Sequence, residues 1–384
     1  FVEDIRLTEN GDPADDPEGP FFLGGDTECY ELDPFSISAE DKRVVQVAFD
    51  PGSEPDGLFD GVLTIESDDP NKPILDVMLS GTKAQISELH VRINQMEVDL
   101  EFDPCPLEAE DPMEIYVSVT DQAGYPVTGL EWDNFSITEE GFETISPDGA
   151  SYVKDGYVPI SVALVMDYSG SITDMEDAVQ DMENSVKSFI DQMKADDYGV
   201  EDEAEIIKFA GNYEVAAEFI SDKEFLKAAV DAPVSEDIGE YTALYDAVLE
   251  AIQDTSDRDN VRKAVIVLTD GEDNESSIEI EDVKALGVEK NIPVFAAGLG
   301  DNINKTVLKD LTESTGGQYY EADISDNLKN TYQQLADVLY DDQYILTYNL
   351  RSPDSVFLTI KADYDEYDEL ELTGEHTKEI TVCQ

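Results

Sequence analysis

The stretch VALVMDYSGSITD, residues 162–174, ends an apolar run in Asp167 and follows it with two hydroxyls at alternate positions, Ser169 and Ser171. Two other stretches share this character. Thr242 in EYTALYDAV opens a helical pattern, and Asp270 in VIVLTDGEDN ends a second apolar run. Each piece alone has a plain structural use, since Asp, Ser and Thr cap helices and Asp-Gly makes turns. Jointly they offer hydroxyl and carboxylate oxygens, the donors that a hard divalent cation such as Mg2+ takes in near-octahedral geometry.

The surrounding pattern must bring these residues together. From about Ile160 the sequence alternates strand and helix. VALVMD is an all-apolar run of buried parallel-strand type. Residues 174–194 place Met175, Ala178, Val179, Met182, Val186, Phe189, Ile190 and Met193 on one helical face. AEIIKFA (204–210) and EVAAEFI (214–220) read as strands, TALYDAVLEAI as a helix, and KAVIVLTDG (263–271) and IPVFAAGLG (292–300) as buried strands. NLKNTYQQLADVLYD (327–341) closes the series as an amphipathic helix. Such alternation predicts a mostly parallel sheet with helices on both faces. Asp167 and Asp270 then sit beyond the carboxyl ends of strands, where open α/β sheets bind ligands.

The flanks read as β. VVQVAF (44–49) alternates, and GVLTIESDDPNKPILDVMLSGT (61–82) gives two strands separated by Asp-Asp-Pro and Lys-Pro breakers. Phe49, Pro51, Gly61, Leu63, Ile65, Ser67 to Pro70, Pro73, Val77, Leu79, Gly81 and Thr82 resemble the ending of the immunoglobulin-like choice-of-anchor or ASH repeat. Residues 1–85 are therefore expected to form such a module, with an edge missing because its first strands have no counterpart. NQMEVDLEF (94–102) alternates too, and VTDQAGYPVTGLEWDNFSITEEG resembles a β segment that precedes α/β domains in bacterial surface proteins. QYILTYNL (343–350) and SVFLTIKADY (355–364) return to β alternation. The expected organisation is multidomain: a first β module over 1–85, a β-sandwich segment over 86–156, an α/β domain over 157–342, and strands over 343–384 that complete the second sandwich. Cys105 and Cys383 lie near the outer ends of that split sandwich, so a disulfide between them would constrain it.

Asp-x-Ser-x-Ser, a loop Thr and a strand-end Asp, in this order and setting, resemble the metal-ion-dependent adhesion site (MIDAS) of the von Willebrand factor A family, over about residues 158–342. The resemblance implies a Rossmann-like fold and a divalent cation, Mg2+ first and Mn2+ or Ca2+ as alternatives. It implies that Ser169, Ser171 and Thr242 hold the ion while Asp167 and Asp270 act largely through water. Neutral hydroxyls leave the ion's charge unquenched, so it can take an Asp or Glu carboxylate from a partner protein. Two departures stand out. Glu240-Tyr241 follow Gly239 where the family often has Gly-Gly, and Asp174 stands where integrin β chains begin an adjacent calcium site, but Met175 follows it.

Composition narrows the function. The net charge of −67, from 90 acidic and 23 basic residues, excludes nucleic acid and anionic membrane surfaces as partners. No apolar run approaches the ~18 residues of a membrane span. Three cysteines without metal-ligand spacing and two histidines argue against zinc. Residue 1 is Phe and no signal peptide precedes it, so the expectation is a processed or partial chain. No nucleophile elbow or phosphate loop is evident, so catalysis is not expected. The leading expectation is an extracellular or cell-surface adhesion module. The alternative is a structural subunit, meeting copies of itself in a surface fibre by strand complementation.

Overall fold

The structure, a computed structural model, describes residues 2–9, 21–23, 31–32, 47–49, 57–67, 74–83, 86–98, 112–175, 177–194, 201–299, 303–322, 326–351, 356–366 and 370–380. Cys29, Cys105 and Cys383 fall outside them, and with them the Cys105–Cys383 disulfide. The chain divides into two units, Phe1–Ile86 and Ser87–Gln384.

The first unit contains β1 (Val2–Glu9), β2 (Phe21–Leu23), β3 (Glu31–Leu32), β4 (Val47–Phe49), β5 (Gly57–Ser67) and β6 (Ile74–Lys83). Its main sheet runs β3-β1-β5-β6 and is antiparallel throughout, while β2 pairs with β4. Gly61, Leu63 and Ile65 of the repeat-like motif lie in β5, opposite Leu79, Val77 and Leu75 of β6. The breakers between these strands, residues 68–73, lie outside the described residues.

The second unit opens with β7 (His90–Val98), β8 (Pro112–Thr120), β9 (Phe135–Glu139), β10 (Gly149–Tyr152) and the helical turn α1 (Val153–Gly156). An α/β domain follows: β11 (Ile160–Asp167), α2 (Gly170–Thr173), α3 (Ala178–Gln192), β12 (Glu203–Phe209), β13 (Tyr213–Ile220), α4 (Lys223–Asp231), α5 (Leu244–Ser256), β14 (Arg262–Thr269), α6 (Ile280–Glu289), β15 (Val294–Leu299), α7 (Lys305–Thr315), β16 (Tyr319–Ala322) and α8 (Asp326–Ala336). A π-helical turn, Asp337–Asp341, extends α8. Three strands end the unit: β17 (Tyr344–Asn349), β18 (Val356–Glu366) and β19 (Leu370–Ile380).

The α/β sheet runs β13-β12-β11-β14-β15-β16, and β13 alone is antiparallel to its neighbour. Strand periodicity feeds two cores at once. Val162, Leu164 and Met166 pack with Met182, Phe189 and Tyr332 on one face, while Ala163 and Val165 pack with Leu244, Val248 and Leu308 on the other. Every residue of β11 is buried, which is why its sequence shows no polar alternation. The helical pattern read from 174 begins later, at Ala178. Asp177 adopts a left-handed φ of 63° and breaks the chain between α2 and α3.

β17 and β18 pair with strands that precede the α/β domain, and β19 pairs with β18. One sheet runs β10-β17-β8-β7 and a second runs β19-β18-β9, with Ile345 opposite Tyr116 and Ile360 opposite Ile137. Arg262, fully buried at the start of β14, ties the base of the domain to this β region. It donates to Gln343 Oε1 at 3.0 Å, to the Val158 carbonyl at 2.8 Å, and to the Leu339 carbonyl. Among the described residues no helix is long and apolar enough to cross a membrane.

Candidate functional site

The site is assembled at the carboxyl ends of β11 and β14. Parallel register sets Met166 against Leu268 and Asp167 against Phe209, so Asp167 and Asp270 emerge side by side. Asp167 is fully buried, and both of its oxygens accept hydrogen bonds: Oδ1 from the Ser169 N–H at 2.8 Å, Oδ2 from the Thr269 hydroxyl at 2.7 Å. Burial pushes its carboxyl up to about 7, and Asp270 adds repulsion. The hydrogen bonds from Ser169 and Thr269 pull it back down, and no cationic side chain is among the groups acting on it.

Ser169 occupies the cap position of α2, but its hydroxyl makes no capping bond. It lies 3.1 Å from the Ser171 hydroxyl instead. The plain reading of Asp-x-Ser-x-Ser as a helix cap is thereby set aside. Gly170 lies in α2 without the positive φ of a tight turn, and its N–H donates to the Glu240 carbonyl at 3.0 Å. A Cβ there would stand 3.4 Å from that carbonyl oxygen. Gly170 thus serves close approach of the Glu240 loop.

That loop carries Thr242, which is 3% exposed and precedes the cap residue of α5, Ala243. The backbone of Thr242 is held on both sides. Its N–H donates to Asn274 Oδ1 at 2.9 Å, and its carbonyl accepts from the N–H groups of Asn274 and Glu275. These bonds leave its hydroxyl out of the loop's own network. The neighbouring Tyr241 is 65% exposed.

Asp270 leaves β14 on a turn whose next residue, Gly271, has φ of 79°. A Cβ at Gly271 would meet Leu308 Cγ at 2.9 Å, so both conformation and packing require glycine. The Asp270 carbonyl accepts from the Asn304 N–H at 2.8 Å, and Asp270 Oδ1 from the Glu272 N–H at 3.1 Å.

The five residues expected from sequence are therefore brought to one end of the sheet. Asp167, Ser169, Thr242 and Asp270 are buried and Ser171 is exposed at the mouth. Asp174 is exposed on the bend after α2, and Met175 packs against the core. Sequence reading passed over Thr269 and Asn274, which orient Asp167 and the Thr242 loop. Among the described residues no group of three or more His, Cys, Asp or Glu side chains could hold a metal ion. What the site offers instead is three hydroxyls beside a buried carboxyl that lacks a cationic partner, and that donor set fits a hard divalent ion.

The model of the von Willebrand factor type A domain matches residues 161–334. Among solved structures, the chain is similar to the conserved hypothetical protein BatB of Bacteroides thetaiotaomicron, at 20% identity and TM-score 0.39, over 47% of this chain and 98% of that one. It is similar to proximal thread matrix protein 1 of the mussel byssus, described with a zinc-occupied MIDAS motif, at 23% identity and TM-score 0.44, over 52% of this chain and 50% of that one. It is also similar to the vWF domain of the type V pili tip protein Mfa5 from Porphyromonas gingivalis, at 10% identity and TM-score 0.38, over 47% and 96% of the two chains. Among curated proteins none matches. Residues 161–334 are a von Willebrand factor type A domain.

Proposed function

We propose that the chain is an extracellular or cell-surface binding module that grips a partner's carboxylate through a divalent cation. The observation that carries this is the pair of Ser169 and Ser171 hydroxyls, 3.1 Å apart and unused as a cap, beside the buried Asp167. Ser169, Ser171 and Thr242 would hold the ion, with Asp167 and Asp270 behind them. The ion supplies positive charge at the mouth of the site, and Mg2+ is the favoured occupant, with Mn2+ or Ca2+ as alternatives. Hydroxyl donors preserve that charge, so an Asp or Glu side chain of a partner protein is the natural complement.

The body around the site has a net charge of −67 and repels acidic surfaces elsewhere. Recognition is then confined to one point, which suits binding. Hydrolysis would call for a general base poised on a metal-bound water, and this hydroxyl-rich set is not built for it. Titration calorimetry with Mn2+ tests the first half of the reading: the chain should bind one ion, and Asp167→Asn should lose it. Acetate then serves as the minimal carboxylate. It should displace water from the Mn2+-loaded chain and lower the water-proton relaxation enhancement. Unchanged Mn2+ binding in Asp167→Asn would sink the proposal.

A further inference from the structure

The first N–H groups of a helix have no partner within it, and a side chain at the cap position usually meets them. α4 and α7 follow this rule. Asp222 accepts the N–H groups of Glu224 and Phe225 at 3.0 and 3.1 Å, and Asn304 Oδ1 accepts that of Val307. α5 does not. Its cap residue is Ala243, which has no side-chain acceptor, and the residue before that is Thr242. Its first N–H groups are met from the segment that follows β14. The Tyr245 N–H donates to Asp273 Oδ2 at 3.1 Å, and the Asp246 N–H to Ser276 Oγ at 3.1 Å.

The helix returns these bonds. Asp246 Oδ2 accepts the Ser277 N–H at 2.9 Å, and its Oδ1 accepts the Ser277 hydroxyl at 3.1 Å. Asn274 and Glu275 of the same segment clasp the Thr242 backbone. Asp273 is the centre of this network, since its Oδ2 accepts from the Ser276 hydroxyl as well as from Tyr245. The segment begins at the Asp270 turn, so the loops that carry Thr242 and Asp270 form one cross-linked body. α5 is thereby capped without drawing on the Thr242 hydroxyl.

What this does for the site rests on the ion reading given above. Mg2+ takes six oxygens at about 2.0–2.1 Å with little tolerance, whereas Ca2+ accepts six to eight at roughly 2.3–2.6 Å in looser geometry. A hydroxyl whose backbone is bonded on both sides cannot drift outward to suit the larger ion. One on a fraying helix end can. We propose that Asp273 is a positioning residue which, by capping α5 from a distant segment, fixes Thr242 for a small ion and sets a preference for Mg2+ and Mn2+ over Ca2+.

Calorimetry of the full chain with Mn2+, and with Mg2+ and Ca2+ as competitors, tests this. Asp273→Ala should weaken Mn2+ and Mg2+ about tenfold, and Ca2+ by less than about threefold. Asp273→Asn keeps an acceptor oxygen and should recover most of the loss, which separates positioning from the removal of a negative charge. Asp222→Ala is the control. It uncaps α4, which follows β13 at the end of the sheet away from the ion site. It should lower the melting temperature in EDTA as Asp273→Ala does, yet leave all three affinities unchanged. Equal weakening of Mg2+ and Ca2+ in Asp273→Ala, an Asn variant as weak as the Ala one, original affinities in both, or the same losses in Asp222→Ala would each overturn the proposal and leave the ion reading standing. An original chain that binds no Mn2+ would sink the ion reading, and this inference with it.

Discussion

The Thr269 hydroxyl donates a 2.7 Å hydrogen bond to Asp167 Oδ2 across two adjacent parallel strands, and it accepts the Gly271 N–H at 3.0 Å. One side chain thus fixes the carboxylate of β11 and the turn that follows β14. Thr269→Val keeps the shape and removes both bonds inside a fully buried site. It should cost roughly 1–3 kcal/mol in urea denaturation under chelator. Thr269→Ser should recover most of that. A Val variant as stable as the original chain would mean that the hydroxyl positions nothing.

Ion binding should itself stabilise the fold, because the buried Asp167 has no cation of its own. Melting of the EDTA-treated chain should shift upward as Mg2+ is added, by about 2.7 kcal/mol at a hundredfold excess over the dissociation constant. Ser171 is exposed, so Ser171→Ala should barely alter the metal-free melting temperature while flattening the Mg2+ response. Parallel shifts in the two proteins would show that Ser171 is not a ligand.

The central strands of the α/β sheet were legible in sequence for one physical reason. β11, β14 and β15 are buried on both faces, and such strands read as unbroken apolar runs. Of the residues the structure gathers at the end of this sheet, Asp167, Ser169, Ser171 and Asp270 follow those runs directly, whereas Thr242 precedes a helix. β19 was not legible. After Leu372 its inward positions are Gly374, His376 and Lys378, so the apolar alternation is interrupted even though two of the three are buried. α7 was missed as well, its short apolar face of Leu308 and Leu311 lying among polar residues. Thr269 and Asn274 stayed hidden because their roles depend on partners 102 and 32 residues away that only the sheet register brings near.

Glu205 on β12 makes a stability prediction of definite sign. It is 1% exposed, faces Asp254 and Glu250 of α5 and Glu218 of β13, and its Oε2 has no hydrogen-bond partner. Burial, reinforced by those acids, pushes its carboxyl up to about 9, while the unfolded chain titrates near 4.5. The folded state therefore binds more protons between these values, and its contribution to stability is lost as pH rises through that window. Glu205→Gln should flatten the decline and stabilise the chain at pH 8 by on the order of 1–3 kcal/mol. Denaturation curves at pH 5 and pH 8 decide it: an equal pH dependence in both proteins would show that another group is responsible.

Lys378 on β19 predicts the opposite slope. Its ammonium is buried and donates to the Asn94 carbonyl at 2.8 Å, where a register shift between Ile93 and Gln95 turns that carbonyl out of the β7–β8 ladder. Burial alone pushes it down to about 7, against 10.5 for the ordinary group. Between those values the unfolded chain binds the extra proton, so stability rises with pH across the window. Neighbouring His376, held near 4 by burial and by Arg92 and Lys378, accepts the Ile93 N–H and gives a rise of the same sign at lower pH. Measurements above pH 6.5 separate the two. Lys378→Met loses the bond to Asn94, so at pH 9 it should be roughly 1–2 kcal/mol less stable than the original chain. That deficit should shrink or reverse by pH 7, where the lysine is half charged in its buried setting. A deficit that stays constant from pH 7 to pH 9 would show that the lysine keeps its proton throughout and is held by something other than the Asn94 carbonyl.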